Sequence, residues 1–185
     1  VWVERYALIS AMKSTQIMPN HWHFCLSPKN NGDMTKFVQW LTLTHTQRWH
    51  ASHRSMGAGH LYQGRYKSFL VQKDNYFLQL CRYIENNALR AKLIQKAEDW
   101  RWSSLWRREH GNDKQKELLS PWPVEIPHDY LKQVNETLPG EDLEYIRTSI
   151  RKSRPYGNNN WVNEAVRRFG LGITLRRPGR PKNSS

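Results

Sequence analysis

The apolar positions of the chain change period several times, which predicts a mixed order of elements. Residues 2–12 (WVERYALISAM) put Trp2, Tyr6 and Ile9 on one side of a helix, with Leu8 beside them. Residues 14–18 (STQIM) suit a short strand, Pro19-Asn20 is a turn signal, and residues 21–26 alternate as a second strand. The polar stretch from Ser27 to Asp33 reads as a loop, and Asp33 as the cap of a helix over 34–50 with Phe37, Leu41 and Thr44 on one stripe and Trp40 alongside. A small-residue loop follows from Ala51 to Gly59, then residues 61–71 (LYQGRYKSFLV) read as a strand. Asp74 opens a helix running to about residue 90, whose packing face collects Phe77, Leu80, Cys81, Ile84 and Ala88. Residues 98–108 (EDWRWSSLWRR) are aromatic-rich and partly helical, with Trp100, Trp102 and Trp106 expected to pack.

The texture then shifts. Gly111, Pro121, Pro123 and Pro127 mark residues 111–128 as a linker. Beyond it, 129–185 reads as a basic C-terminal extension with short helices over 140–152 and 160–170. Its end, Arg176-Arg177-Pro178-Gly179-Arg180-Pro181-Lys182, is of low complexity and expected to be disordered when free. The order helix–strand–strand–helix–strand–helix predicts an α+β domain over 1–110, an antiparallel sheet with helices packed on one face.

Composition adds a partner class. The 185 residues carry 29 Lys+Arg against 16 Asp+Glu, a formal charge of +13, and such a field draws polyanions. Nine Trp, eight Tyr and five Phe are enough to build a core. Cys25 and Cys81 form neither a metal-type CxxC nor a disulfide framework, which fits a reducing compartment. No apolar run reaches the roughly 20 residues of a membrane helix, and no signal peptide is visible. Cytoplasm, close to nucleic acid, is the expected location. The chain opens Val1-Trp2-Val3-Glu4 without Met, as a fragment or the product of a non-standard start would.

Two places carry candidate chemistry. In His21-Trp22-His23, strand alternation sends both imidazoles to one face and Trp22, Phe24 and Leu26 to a core face. Side chains two positions apart lie about 7 Å from each other, near enough to share a divalent metal, although a hydrogen-bonded surface pair satisfies the same spacing. On the helix from residue 74, Tyr83 and Asn87 are four apart and share a face. Tyr83 falls well off the packing face, at the margin of the sheet, where a tyrosine is ordinarily an amphipathic packing residue.

Together, MPNHWH at 18–23, GHLYQGRYKSF at 59–69 and RYIENNALRAKL through EDWRWSSL at 82–105 resemble the single-tyrosine HUH transposases. Among these the chain is most similar to the REP-associated tyrosine transposases, relatives of insertion-sequence transposases. The likeness is strong over about 14–110, and the tail resembles an extension found in one branch. It implies a ferredoxin/RRM-like palm in which His21 and His23 bind a divalent metal, Mg²⁺ or Mn²⁺. Asn87 would complete the protein ligands, with Asn86 as the alternative one position round the helix. Tyr83 corresponds to the nucleophile, which leaves a 5′-phosphotyrosine and a free 3′-OH without any nucleotide cofactor.

Single-stranded DNA, often beside a hairpin of a repeated extragenic palindrome, is the implied substrate. Arg65 and Lys67, placed on one face of the 61–71 strand, are the candidate phosphate contacts. Pro178 to Lys182 resembles the core of an AT-hook, whose Arg180 would enter a minor groove. Some relatives exchange the tyrosine helix in a homodimer and others act alone. Family members carry a strand ahead of the 2–12 helix that is not seen in this sequence; if the sequence is complete, the resemblance implies a sheet that lacks one strand and exposes an edge. A truncated or domesticated hairpin-binding protein without turnover, and a nuclease that hydrolyses DNA without a covalent step, are the competing readings.

Overall fold

The computed structural model describes residues 10–57 and 59–176. It is a mixed α/β structure with one two-stranded antiparallel sheet and several helices. Strand β1 (Ser10–Ile17) pairs with β2 (Trp22–Pro28) across the Pro19-Asn20 turn, in a register that sets Thr15 opposite Phe24 and Gln16 opposite His23. The helix expected over 2–12 lies outside the described residues up to position 9, and its last three residues belong to β1. Ser10, Ala11 and Met12 pair with Pro28, Ser27 and Leu26, because β2 runs on past residue 26 and offers them partners; a bulge at Lys13 absorbs the shift in register.

The described chain divides into two compact units. The first holds the described residues up to Tyr66 together with Cys81–Thr137. Helix α1 (Asp33–His53) packs Phe37 against Phe24 of β2, with ring centroids 5.9 Å apart. Helix α2 (Asn75–Glu85) brings Tyr83 to His23, with centroids 5.9 Å apart. His23 and Phe24 are neighbours on a strand, so the two helices cover opposite faces of the hairpin, and the expectation of helices on one face is corrected. Cys25, on the His face, is buried rather than open to a site.

Asp33 is the first residue of α1 and not its cap. Gly32 takes the left-handed conformation ahead of it (φ 83°), and the Asp33 carboxylate accepts from Asn30 N at 2.7 Å, closing the preceding loop. Asp74 does start α2 as expected, its carboxylate accepting from Tyr76 N at 2.9 Å. The predicted packing face holds: Phe77, Leu80, Cys81 and Ile84 of α2, and Ala88 just beyond its end, are all buried.

No strand forms over 61–71. Gly64 has φ 84° and interrupts the extended run, and the pairing in this stretch is an isolated parallel bridge of Val71 to Tyr156. The outer side of β1 is taken instead by the segment around residue 103. Ile17 N donates to Trp102 O at 3.0 Å, Thr15 N to Ser104 Oγ at 2.9 Å, and Gln16 bridges Ser103. Further along, Ser120 N donates to Met12 O and Trp122 Nε1 to Lys13 O. The open edge expected of the sheet is therefore covered on the β1 side.

Short elements complete this unit: α3 (Asn87–Arg90), a 3₁₀ turn at Ala97–Asp99, α4 (Ser104–His110), α5 (Asp113–Lys116) and α6 (Tyr130–Asn135). Trp102, expected to pack, is exposed, whereas Trp100 is half-buried and donates to Ile17 O at 2.8 Å.

The second unit holds Lys67–Leu80 and the described residues from Leu138 on. It contains α7 (Gly140–Lys152), α8 (Asn159–Phe169) and a 3₁₀ turn at Gly172–Leu175. Its centre is Tyr156, fully buried, with the rings of Tyr145 and Tyr76 at 4.8 and 5.1 Å and its hydroxyl donating to Gln79 at 2.8 Å. Among the described residues no helix is long and apolar enough to cross a membrane.

Candidate active site

The hairpin and α2 bring together residues that lie far apart in the chain. His21 stands at the entry to β2 and His23 one pleat further, so both imidazoles face α2, their centroids 5.0 Å apart. From α2, Tyr83 lies against His23. Asn86 interrupts the regular helix, yet Asn86 N still donates to Arg82 O and Arg90 N to Asn86 O, both at 2.9 Å. That continuity keeps Asn87 one turn beyond Tyr83 on the same side. Asn87 Nδ2 reaches His21 Nε2 at 3.2 Å. Asn86 points elsewhere, its amide donating to Val134 O at 2.6 Å. Of the two asparagines, Asn87 is the one beside the histidines.

The hydrogen bonds assign protons within this cluster. Asn20 Oδ1, which only accepts, lies 2.7 Å from His21 Nδ1, so Nδ1 carries the proton. That leaves Nε2 as a lone pair turned toward Asn87. Burial, reinforced by the Arg90 guanidinium, lowers the His21 pKa below its ordinary value. For His23, burial first and then the neighbouring His21 and Arg90 bring it down to about 4. Both rings are neutral at neutral pH, the state in which imidazole binds metals.

Arg90 closes the cluster. Its Nη2 donates to Asn87 Oδ1 at 2.6 Å and its guanidinium carbon lies 4.4 Å from the centre of the Tyr83 ring. Tyr83 is thereby only 6% exposed, more enclosed than its angular position on the helix predicts. The periodicity of α2 registers only neighbours on the helix itself, whereas His23 and Arg90 cover the ring from β2 and α3. Among the described residues no group of three or more His, Cys, Asp or Glu could hold a metal ion. The side chains gathered here are two neutral imidazoles and the Asn87 amide, whose nitrogen faces His21 and whose oxygen is held by Arg90; with that oxygen released, the nitrogen–oxygen set would suit Mn²⁺ or Mg²⁺.

Arg65 and Lys67 are exposed on the irregular segment after Gly64, so the shared strand face assigned to them does not exist. Arg180 and the AT-hook-like segment around it lie outside the described residues.

Glu85 was not singled out from the sequence, yet it organises the support of the site. It is fully buried two residues after Tyr83. Its Oε1 pairs with Arg108 Nη1 at 2.6 Å and accepts from the hydroxyls of Ser14 and Ser104, while Oε2 accepts from Tyr130 at 2.8 Å. One carboxylate thus ties β1, α4 and α6 to the helix that carries Tyr83. Burial, then the Glu85 charge, pushes the Tyr130 phenol well above its ordinary pKa. The sequence does hold a signal: Glu85 falls one turn after Cys81 on the packing face of α2, where a carboxylate needs partners.

The two histidines, Tyr83 and Asn87 lie in a stretch that a family comparison also picks out. Residues 6–87 match the family model described as Transposase IS200 like. The matched stretch covers under half of the 185-residue chain, takes in His21, His23 and Tyr83, and ends on Asn87. It supports a transposase relationship and a DNA-processing role for this part of the chain. No curated protein and no solved structure matches the chain.

Proposed function

We propose that the chain cleaves and rejoins single-stranded DNA as a single-tyrosine transposase of the REP-associated kind. The convergence of His21, His23, Asn87 and Tyr83 from β2, α2 and α3 carries this reading. His21 Nε2, His23 and the Asn87 amide oxygen would hold Mg²⁺ or Mn²⁺. Such an ion polarises a phosphoryl oxygen and offsets charge that develops on the phosphate.

The chain's own residues do the rest. The Tyr83 oxygen attacks the scissile phosphorus and its phenolic proton passes to solvent. The bond from phosphorus to the 3′ oxygen breaks, and that oxygen takes a proton from solvent and leaves as a 3′-OH. The 5′ end stays on Tyr83 as a phosphotyrosine, so the bond energy is kept for rejoining to another 3′-OH. Arg90 covers the Tyr83 ring before substrate enters and, once displaced, offers a guanidinium to the incoming phosphate. Arg65, Lys67 and the basic residues around Arg180 would add contacts to the DNA backbone.

The second reading is a hairpin-binding protein without turnover. The 6% exposure of Tyr83 beneath Arg90 is the observation in its favour. Labelled hairpin DNA incubated with the protein and Mn²⁺, then run on a denaturing gel, separates the two. The transposase reading expects a covalent adduct that disappears in Tyr83→Phe. Binding with neither adduct nor cleavage would overturn it in favour of the second.

A further inference from the structure

The exposed C-terminal half of α1 carries a feature that the site does not use. Of its 21 residues only Asp33, Phe37 and Val38, all in the first two turns, are buried. The half that projects beyond them bears a row of rings. Tyr62 lies 5.7 Å from His45, His45 lies 6.1 Å from Trp49, and Trp49 stacks on His53 with centroids 3.8 Å apart and planes 16° apart. Tyr62 also meets Trp22 at 6.5 Å, so the row starts at the strand that carries the two histidines. His45, Trp49 and His53 recur every fourth residue, which lines them along one stripe of the helix. Trp49 is 41% exposed although it is among the largest apolar side chains.

Charge names the partner. Between Asp33 and Asp74 there is not one Asp or Glu, where the chain average of 16 in 185 would place about three. The exposed Arg48 and Arg54 flank the stripe within this acid-free run. The stacked, solvent-facing Trp49 and His53 beside exposed guanidinium groups suit a polymer with π-faced bases and a phosphate backbone. We propose that the row from Tyr62 to His53 is a base-stacking platform for single-stranded DNA, with Arg48 and Arg54 on its phosphates. The proposal rests on the DNA-processing reading only for the choice of polymer, because the platform binds whether or not Tyr83 reacts.

The test is fluorescence anisotropy of a labelled, unstructured single strand in EDTA, with the matching duplex alongside. Trp49→Ala weakens single-strand binding roughly tenfold, whereas Trp49→Phe, which keeps a ring, stays close to wild type. Arg48→Gln lowers the slope of log affinity against log salt by about 0.7. If the wild type forms no adduct yet these binding differences hold, the platform stands and the transposase reading falls. Unchanged single-strand binding in Trp49→Ala overturns the platform. So does an equal loss in Trp49→Ala and Trp49→Phe, or an equal loss for duplex and single strand. A shift of Trp49→Ala in sedimentation with DNA affinity intact would assign the stripe to a second copy of the chain and overturn the proposal.

Discussion

The side-chain amide of Asn87 lies 3.2 Å from Nε2 of His21, across 66 residues of sequence. The amide nitrogen faces the imidazole lone pair while the amide oxygen is held by Arg90 at 2.6 Å. The oxygen that would serve a metal is thus engaged by a fixed cation, and the two compete for it. Removing the guanidinium also removes a like charge from beside the ion. Arg90→Gln is expected to bind Mn²⁺ more tightly, roughly tenfold on the scale of one charge-assisted hydrogen bond. Electron paramagnetic resonance of free Mn²⁺ reads this directly, and weaker binding in the variant would show that Arg90 orients Asn87 instead of opposing the metal.

Asn20 has a smaller but related role. By accepting from Nδ1 it fixes the tautomer of His21 and turns Nε2 toward the cluster. Asn20→Ala leaves the ring free to turn and to exchange tautomers. Mn²⁺ affinity in this variant should fall about tenfold with little change in thermal stability, since Asn20 is exposed. Titration of both proteins with Mn²⁺ by calorimetry checks it.

The metal-free protein should lose stability in weak acid. His23 titrates near 4 in the folded chain because of burial, His21 and Arg90, against an ordinary value of 6.5. Between these values the unfolded chain binds a proton that the folded chain refuses, so unfolding free energy rises with pH across the window. The contribution is complete above about pH 6.5 and lost as pH falls toward 4, at most about 3 kcal/mol. Urea midpoints measured from pH 7 to pH 4 should fall accordingly, and His23→Asn should flatten that dependence.

Glu85 predicts a stability effect in the absence of any metal or DNA. Truncation would strand Arg108, which is only 19% exposed, and leave Tyr130 and two serines without their shared acceptor. Glu85→Ala should cost about 3–5 kcal/mol, as breaking a buried ion pair does. With a urea slope of about 1–3 kcal/mol/M, the midpoint falls by about 1 M or more. A change within a few tenths of a molar would mean that the network contributes little to holding α2.

Local pattern carried some elements of this structure and missed others for identifiable reasons. The hairpin and α2 were legible because Pro19-Asn20 is a strong turn and because Phe77 to Ala88 keeps a helical period that burial then honours. The strand expected at 61–71 had the right alternation but no partner to pair with, and Gly64 in a left-handed conformation ended it. Ser10–Met12 read as helix because Leu8, Ile9 and Met12 allow that spacing, while the deciding fact, a free pairing edge at Leu26–Pro28, lies outside the window. In the candidate site, the proximity of His21, His23, Tyr83 and Asn87 was readable from alternation, helical spacing and family likeness. Arg90 and Asn20 were not, because their side-chain contacts to Asn87, Tyr83 and His21 leave no mark on the hydrophobic period, and Glu85 showed only as a carboxylate on the packing face whose partners lie on β1, α4 and α6.

The central claim is that Tyr83 becomes covalently joined to DNA. Mass spectrometry of trypsin-digested adduct, formed with single-stranded hairpin DNA and Mn²⁺, tests it at the residue. The account predicts a nucleotide remnant on the peptide that starts at Tyr83 and ends at Arg90, attached through a 5′ phosphate. DNA cleavage without any adduct, an adduct on another tyrosine, or cleavage that persists in Tyr83→Phe would contradict it.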